Sequence, residues 1–238
     1  QHTFAGDEGF DSGEANCVCQ STSGYIWIGT DNGIYRYDGS EFTLFPLDSD
    51  EDGTKYSINC IYLTSDDKLY VGTDNYGLYV YDNGAFNRVA ETYNLGVSTI
   101  NAMYEDDKDQ LWLASSSGIY YLTSDGVKMV DDEGISGYNI GNISGYDGTI
   151  YATANNDVLI RVDENGEITV TSKSSYGIDD INSLYIDENG TRYYGSAGYS
   201  ILTINSKGKV SVISTGSLHG INKIYNDGEK IWILADGG

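Results

Sequence analysis

Short runs of β-branched and aromatic residues alternate along this chain with polar, glycine-rich breaks, and one such run returns six times. It reads IWIGT from Ile26, LYVGT from Leu69, LWLAS from Leu111, IYATA from Ile150, RYYGS from Arg192 and IWILA from Ile231, at intervals of 43, 42, 39, 42 and 39 residues. A second run precedes each: NCVC at Asn16, INCIY at Ile58, INAMY at Ile100, IGNIS at Ile140, INSLY at Ile181 and INKIY at Ile221. Polar turn pairs such as Ser23-Gly24, Asp66-Asp67 and Asn189-Gly190 separate the two, which predicts a hairpin. A third run follows (GIYRYD from Gly33, GLYVYD from Gly77, VLIRVD from Val158), then a more variable fourth (EFTLF from Glu41, KVSVI from Lys209). No window shows apolar residues at helical spacing of three and four.

Four strands per repeat, at a period near forty, predict an all-β chain: a β-propeller of four-stranded antiparallel blades. Five repeats are complete and the sixth is partial, with blades at about 15–46, 58–90, 100–130, 140–172, 181–214 and 221–238. The runs continue from end to end without a linker, so residues 1–238 read as a single propeller domain or a fragment of a larger ring. The runs do not alternate strictly between apolar and polar, as expected for sheets covered on both faces.

Charge narrows the partners. Lys and Arg number 13 against 36 Asp and Glu, a net charge of −23. Such a surface repels phosphate backbones and anionic lipid headgroups, which argues against nucleic acid and membrane-surface binding. No stretch approaches the roughly 20 apolar residues that span a bilayer. Three cysteines form no disulfide framework; Cys17 and Cys60 share a repeat position, but free thiols are the expectation.

Catalytic signatures are sparse. The two histidines, His2 and His219, accompany no G-x-S-x-G elbow, so an imidazole-based hydrolase is disfavoured and the chain reads as non-enzymatic. The acid doublets Asp106-Asp107, Asp131-Asp132 and Asp179-Asp180 fall in connectors, where turns and solvation explain them without glycosidase chemistry. No cofactor is indicated. One metal hint stands out: Asp48, Asp50 and Asp52, ahead of Gly53, spell the first half of a Ca²⁺ loop. Its twelfth position is Asn59 rather than Glu, so a solvated acidic connector is the better account than Ca²⁺.

Two sets of residues are candidates for ligand binding. Asn16, Asn59, Asn101, Asn182 and Asn222 recur at one inner-strand position, with Gly141 as the exception. A ring of amides could hold a sugar or peptide, although an Asn ahead of a strand commonly bonds local backbone. Tyr56, Tyr138 and Tyr176 lie in connectors, and Tyr76 and Tyr199 in loops after the IWIGT-like strand. Exposed on one rim, these rings would stack against a glycan or grip a peptide or small molecule.

The run from Ala15 to Phe42 also resembles a known family, the two-component regulator propeller repeat. Asn16, Gly24, Trp27, Gly29, Thr30, Gly33, Tyr37, Asp38, Gly39 and Phe42 carry the likeness, the repeat from Ile58 to Phe86 nearly matches it, and later repeats decay. The Gly-His and Trp-Asp signatures of WD40 repeats are missing. The resemblance implies a seven-bladed ring serving as an extracytoplasmic sensor domain of a bacterial receptor. It further implies a transmembrane tether and a histidine kinase or diguanylate cyclase output outside this chain, with a homodimer as one partner arrangement. The alternatives are a protein–protein interaction propeller without a small ligand, and a carbohydrate-active enzyme on the same scaffold.

Overall fold

A computed structural model of the chain describes residues 10, 14–47, 56–89, 96–130, 134–226 and 229–236. Five sheets each contain four strands in sequence order. The first holds β1 (Ala15–Gln20), β2 (Ile26–Thr30), β3 (Gly33–Tyr37) and β4 (Phe42–Phe45). The second holds β5 (Ile58–Leu63), β6 (Leu69–Thr73), β7 (Leu78–Asp82) and β8 (Ala85–Arg88). The third holds β9 (Ile100–Glu105), β10 (Leu111–Ser115), β11 (Gly118–Thr123) and β12 (Gly126–Met129). In the fourth are β13 (Ile140–Tyr146), β14 (Thr149–Ala154), β15 (Val158–Val162) and β16 (Ile168–Ser172). The fifth comprises β17 (Ile181–Ile186), β18 (Arg192–Ser196), β19 (Ser200–Ile204) and β20 (Val210–Ser214). A sixth sheet has two strands, β21 (His219–Asn226) and β22 (Ile231–Asp236). The pairing is antiparallel, so these are propeller blades, five of them complete. Among the described residues the helical piece is one 3₁₀ turn, Lys173–Ser175, and no helix is long and apolar enough to cross a membrane.

The chain groups into two compact units. Gln1–Glu105, Asp109–Ser116 and Tyr120–Met129 form the first, with blades one to three; Asp106–Lys108, Ser117–Ile119 and Val130–Gly238 form the second, with blades four and five and the two-stranded sheet. Within the first unit, Trp27, Ile34, Ile58, Val71 and Tyr79 make one core between blades one and two. Tyr70, Leu78, Ile100 and Leu113 make the next, between blades two and three. In the second unit Leu159, Ile181, Tyr194 and Leu202 pack between blades four and five. Blade two therefore buries both its faces against neighbours, as does blade five, and β6 is buried at all five positions. That is why its sequence lacks period-two alternation.

Two repeated details set how closely blades approach. In the first strand of each complete blade the register slips once, so one residue bulges out of the ladder, and in β21 it slips twice. Ile58 faces Thr73 and Cys60 faces Gly72, which leaves Asn59 as the extra residue. The residue after the bulge is thereby aimed at the next blade. Cys60 Sγ lies 3.6 Å from the Ile100 carbonyl oxygen, and Ser183 Oγ donates to the Ile221 carbonyl at 3.0 Å. The glycine of the IWIGT-like run answers this approach. A Cβ on Gly72 would sit 2.5 Å from Cys60 Sγ and 2.8 Å from Ile100; on Gly29 it would sit 2.5 Å from Ile58 Cγ2. In blade four Thr153 occupies that column, and its Oγ1 accepts from Asn142 Nδ2 at 2.9 Å.

Candidate functional site

The recurrent asparagines coincide with the bulges. Asn16, Asn59, Asn101, Asn182 and Asn222 are each skipped by the register, and so is Gly141. Their amides serve the scaffold in the cases where a bond is defined. Asn16 Nδ2 donates to Asp31 Oδ1 at 2.8 Å and to the Ile58 carbonyl of the next blade at 3.1 Å. Asn222 Nδ2 donates to Asp236 Oδ1 at 2.7 Å, and Asn182 Nδ2 to Asn222 Oδ1 at 3.5 Å. Asn16 and Asn222 are exposed; Asn59, Asn101 and Asn182 are half-buried.

The tyrosines depart from the expected exposed rim. Tyr56 is 7% exposed and belongs to the core between blades one and two. Its ring meets Tyr76 edge-on at 4.5 Å and Tyr79 at 6.1 Å. Tyr76 is half-buried, and Arg88 pins its loop by donating from Nε and Nη2 to the Tyr76 carbonyl at 2.9 and 2.7 Å. Tyr176 is half-buried against the core of blades four and five, and Tyr138 is half-buried too. Tyr199, 56% exposed, faces His219 with ring centroids 5.7 Å apart. The physical reason is area: a connector that enters an inner strand passes over the apolar edge of the blade, and a tyrosine there gains more by covering that edge than by facing water. Of the five, Tyr199 alone has the exposure a rim demands, and Tyr56→Ala is expected to weaken the fold.

Asp48, Asp50 and Asp52 lie outside the described residues. Among the described residues no three His, Cys, Asp or Glu side chains converge as a metal site. The three cysteines are free thiols, and burial raises the Cys19 pKa, which keeps that thiol protonated. His219 Nδ1 stands 3.6 Å from Asp236 Oδ2, with both side chains about half exposed.

A pocket of about 190 Å³ opens between blades one and two at the hairpin-turn end, opposite the bulges. Tyr25, Trp27, Leu63, Leu69 and Tyr81 supply apolar walls. Ser21, Ser23, Asp67 and Arg36 supply the polar groups. Arg36 is held by aromatic faces: its guanidinium carbon lies 4.4 Å from the Tyr25 centroid, 4.9 Å from Phe45 and 5.9 Å from Trp27. Its Nε is buried and has no hydrogen-bond partner among the described residues. Nearby Asp38 spends Oδ1 on its own turn, accepting from Ser40 N, Ser40 Oγ and Glu41 N at 2.8, 2.8 and 3.0 Å. These bonds, with a smaller contribution from Arg36, hold the Asp38 pKa down at about 2. In blade four the equivalent residue, Arg161, does meet a carboxylate, Asp163 at 3.7 Å. Within the repeat Arg36 is one more residue of GIYRYD, so the run alone does not disclose the pocket. The available signal was the column itself, where Val80 and Thr203 stand in blades two and five.

The family model described as two component regulator propeller matches residues 9–32, so that segment is similar to repeats of this kind. No curated protein matches the chain. Among solved structures, the extracellular domain of a protein described as a hybrid two component system of B. thetaiotaomicron is 16% identical with a TM-score of 0.80. The match covers 98% of this chain and 34% of that one, so the chain spans about a third of its relative's length. A catalytically inactive virginiamycin B lyase from Staphylococcus aureus, solved with quinupristin, is 16% identical with a TM-score of 0.70, covering 92% of this chain and 76% of the lyase. The type-IX secretion component PorZ of Porphyromonas gingivalis is 13% identical, with a TM-score of 0.65 over 97% of this chain and 31% of its own. At such identities the likeness establishes the fold, a β-propeller.

Proposed function

We propose that this chain is a non-catalytic, ligand-sensing propeller from the extracytoplasmic part of a bacterial membrane receptor. Its output, a histidine kinase or diguanylate cyclase, would lie outside these residues. The observation that carries the reading is the two component regulator propeller repeat at residues 9–32, set in a fold shared with the extracellular domain of a hybrid two component system. The blade cores are filled by aliphatic and aromatic side chains, which leaves recognition to the surfaces between them. A lyase shares the fold, so fold alone does not choose between sensing and catalysis. The repeat at residues 9–32 favours sensing, and the Cys19 thiol, kept neutral by burial, is no activated nucleophile.

Thermal unfolding of the protein against oligosaccharides, peptides, amino acids and Ca²⁺ tests the proposal. A ligand that binds only the folded state stabilises it by about 2.7 kcal/mol at a hundredfold excess over its dissociation constant. The expected result is a raised midpoint with one class of ligand and no chemical change in it. Turnover of the added ligand would overturn the non-catalytic reading. A flat response across the panel would replace sensing with a protein-contact role.

A further inference from the structure

We propose that the pocket between blades one and two binds a small, singly charged carboxylate carried on a ring, with Arg36 as its anchor. The inference names a ligand class for the sensing role and rests on that role. Four observations converge on it. First, Arg36 forms no ion pair with any carboxylate among the described residues, in a chain where acids outnumber bases 36 to 13. The same column in blade four shows the ordinary solution, Arg161 beside Asp163. In blade one the matching acid, Asp38, is committed to its turn.

Second, the guanidinium is preorganised. The rings of Tyr25 and Phe45 lie within 5 Å of it and hold it in the pocket lining. Arginine's fork matches a carboxylate's two oxygens.

Third, size restricts the guest. At about 190 Å³ the pocket is smaller than the roughly 300–1,000 Å³ that holds a drug-sized ligand. A single ring or the terminal residue of a longer chain fits, with Tyr25 and Tyr81 as flanking surfaces and Ser21 and Ser23 at the polar edge. Fourth, charge restricts it further. The net charge of −23 and the Asp67 side chain in the wall both penalise each added negative charge, which favours a monoanion over phosphate.

Titration calorimetry with the whole protein decides the matter. The probes are benzoate and galacturonate as aromatic and sugar carboxylates, benzyl alcohol and galactose as their neutral counterparts, and inorganic phosphate. At least one carboxylate is expected to bind, about tenfold or more tighter than its neutral counterpart. Which of the two binds identifies the source. Arg36→Gln is expected to weaken that binding about tenfold or more. Asp67→Asn offers a second route that does not disturb Arg36. Asp67 has φ 65°, which Asn tolerates, and Asn keeps an oxygen for the Thr22 hydroxyl now 2.7 Å away. Removing its charge should tighten carboxylate binding. Equal affinity for the neutral counterpart, a preference for phosphate, no effect of either substitution, or no carboxylate binding at all would each overturn the proposal. If carboxylates fail while another class raises the unfolding midpoint, the pocket is dismissed and the sensing role stands.

Discussion

The strands β6 and β22 carry the same phrase at the same place in their sheets and meet opposite fates. Leu69, Tyr70 and Val71 of β6 are buried, whereas Ile231, Trp232 and Ile233 of β22 are exposed. The apolar content is alike, so sequence within the strand does not make the difference. β6 pairs with β5 on one side and β7 on the other, and its faces join the cores on both sides of blade two. β22 pairs with β21 alone among the described residues. A repeat of this kind is stabilised by its neighbours far more than by itself, so the burial of one strand is a property of the array.

The sharpest way to break that comparison is to truncate the same column in both strands. Tyr70 is 8% exposed and Trp232 is 51% exposed. Tyr70→Ala should lower unfolding free energy by about 3 kcal/mol through lost burial and a cavity. Trp232→Ala removes a larger side chain, yet should change stability by less than about 1 kcal/mol. Urea unfolding of the two variants gives the answer. Similar losses would mean that the phrase stabilises each sheet from within, and the neighbour argument would fail.

A smaller effect is expected from the glycine that admits the next blade. Gly72→Ala forces a Cβ against Cys60 Sγ and Ile100, and overpacking of this sort costs about 1–3 kcal/mol. Gly141→Ala serves as the control, since its Cβ would meet only Thr153 Oγ1 at 3.9 Å. That change should be neutral or stabilising by about 0.4–1 kcal/mol, because alanine narrows the unfolded ensemble. Midpoints that fall equally in both variants would show that the close approach of blades is not what the glycine serves.

Much of this architecture is legible in the chain, and the reasons differ by feature. Strand positions follow from local runs and turn pairs, so the first two strands of each sheet fall where INxxY-like and IWIGT-like phrases place them. The asparagine column is visible as a column, but the bulge at each of those positions is not, because register belongs to two strands at once. Tyr56 reads as a polar-capable ring in a connector and is instead a core residue, since burial depends on what the connector passes over. Arg36 is least legible of all. Its significance lies in a missing partner, and a partner's absence is written in space rather than in the repeat.

The smallest expected effect probes what a blade specifies without neighbours. The β3–β4 turn of blade one is organised by Asp38, whose Oδ1 accepts three hydrogen bonds from Ser40 and Glu41. The bond from the Glu41 amide, then those from Ser40, hold its pKa at about 2, below the ordinary value of 3.8. A carboxyl whose folded pKa is depressed adds stability that is present above the unfolded pKa and is lost as pH falls through the folded one. The contribution of Asp38 should therefore fade between about pH 4 and pH 2. Because the group is exposed, the effect on the unfolding midpoint should be slight. Asp38→Asn keeps an acceptor for the turn and should remove this part of the pH dependence while changing little near pH 7. The turn is closed by its own residues, so the same small difference is expected whether or not Tyr70→Ala has loosened the core between blades two and three. A pH dependence that changes with Tyr70→Ala would show that even this turn relies on the next blade, and would extend the lesson of β6 and β22 from burial to local hydrogen bonding.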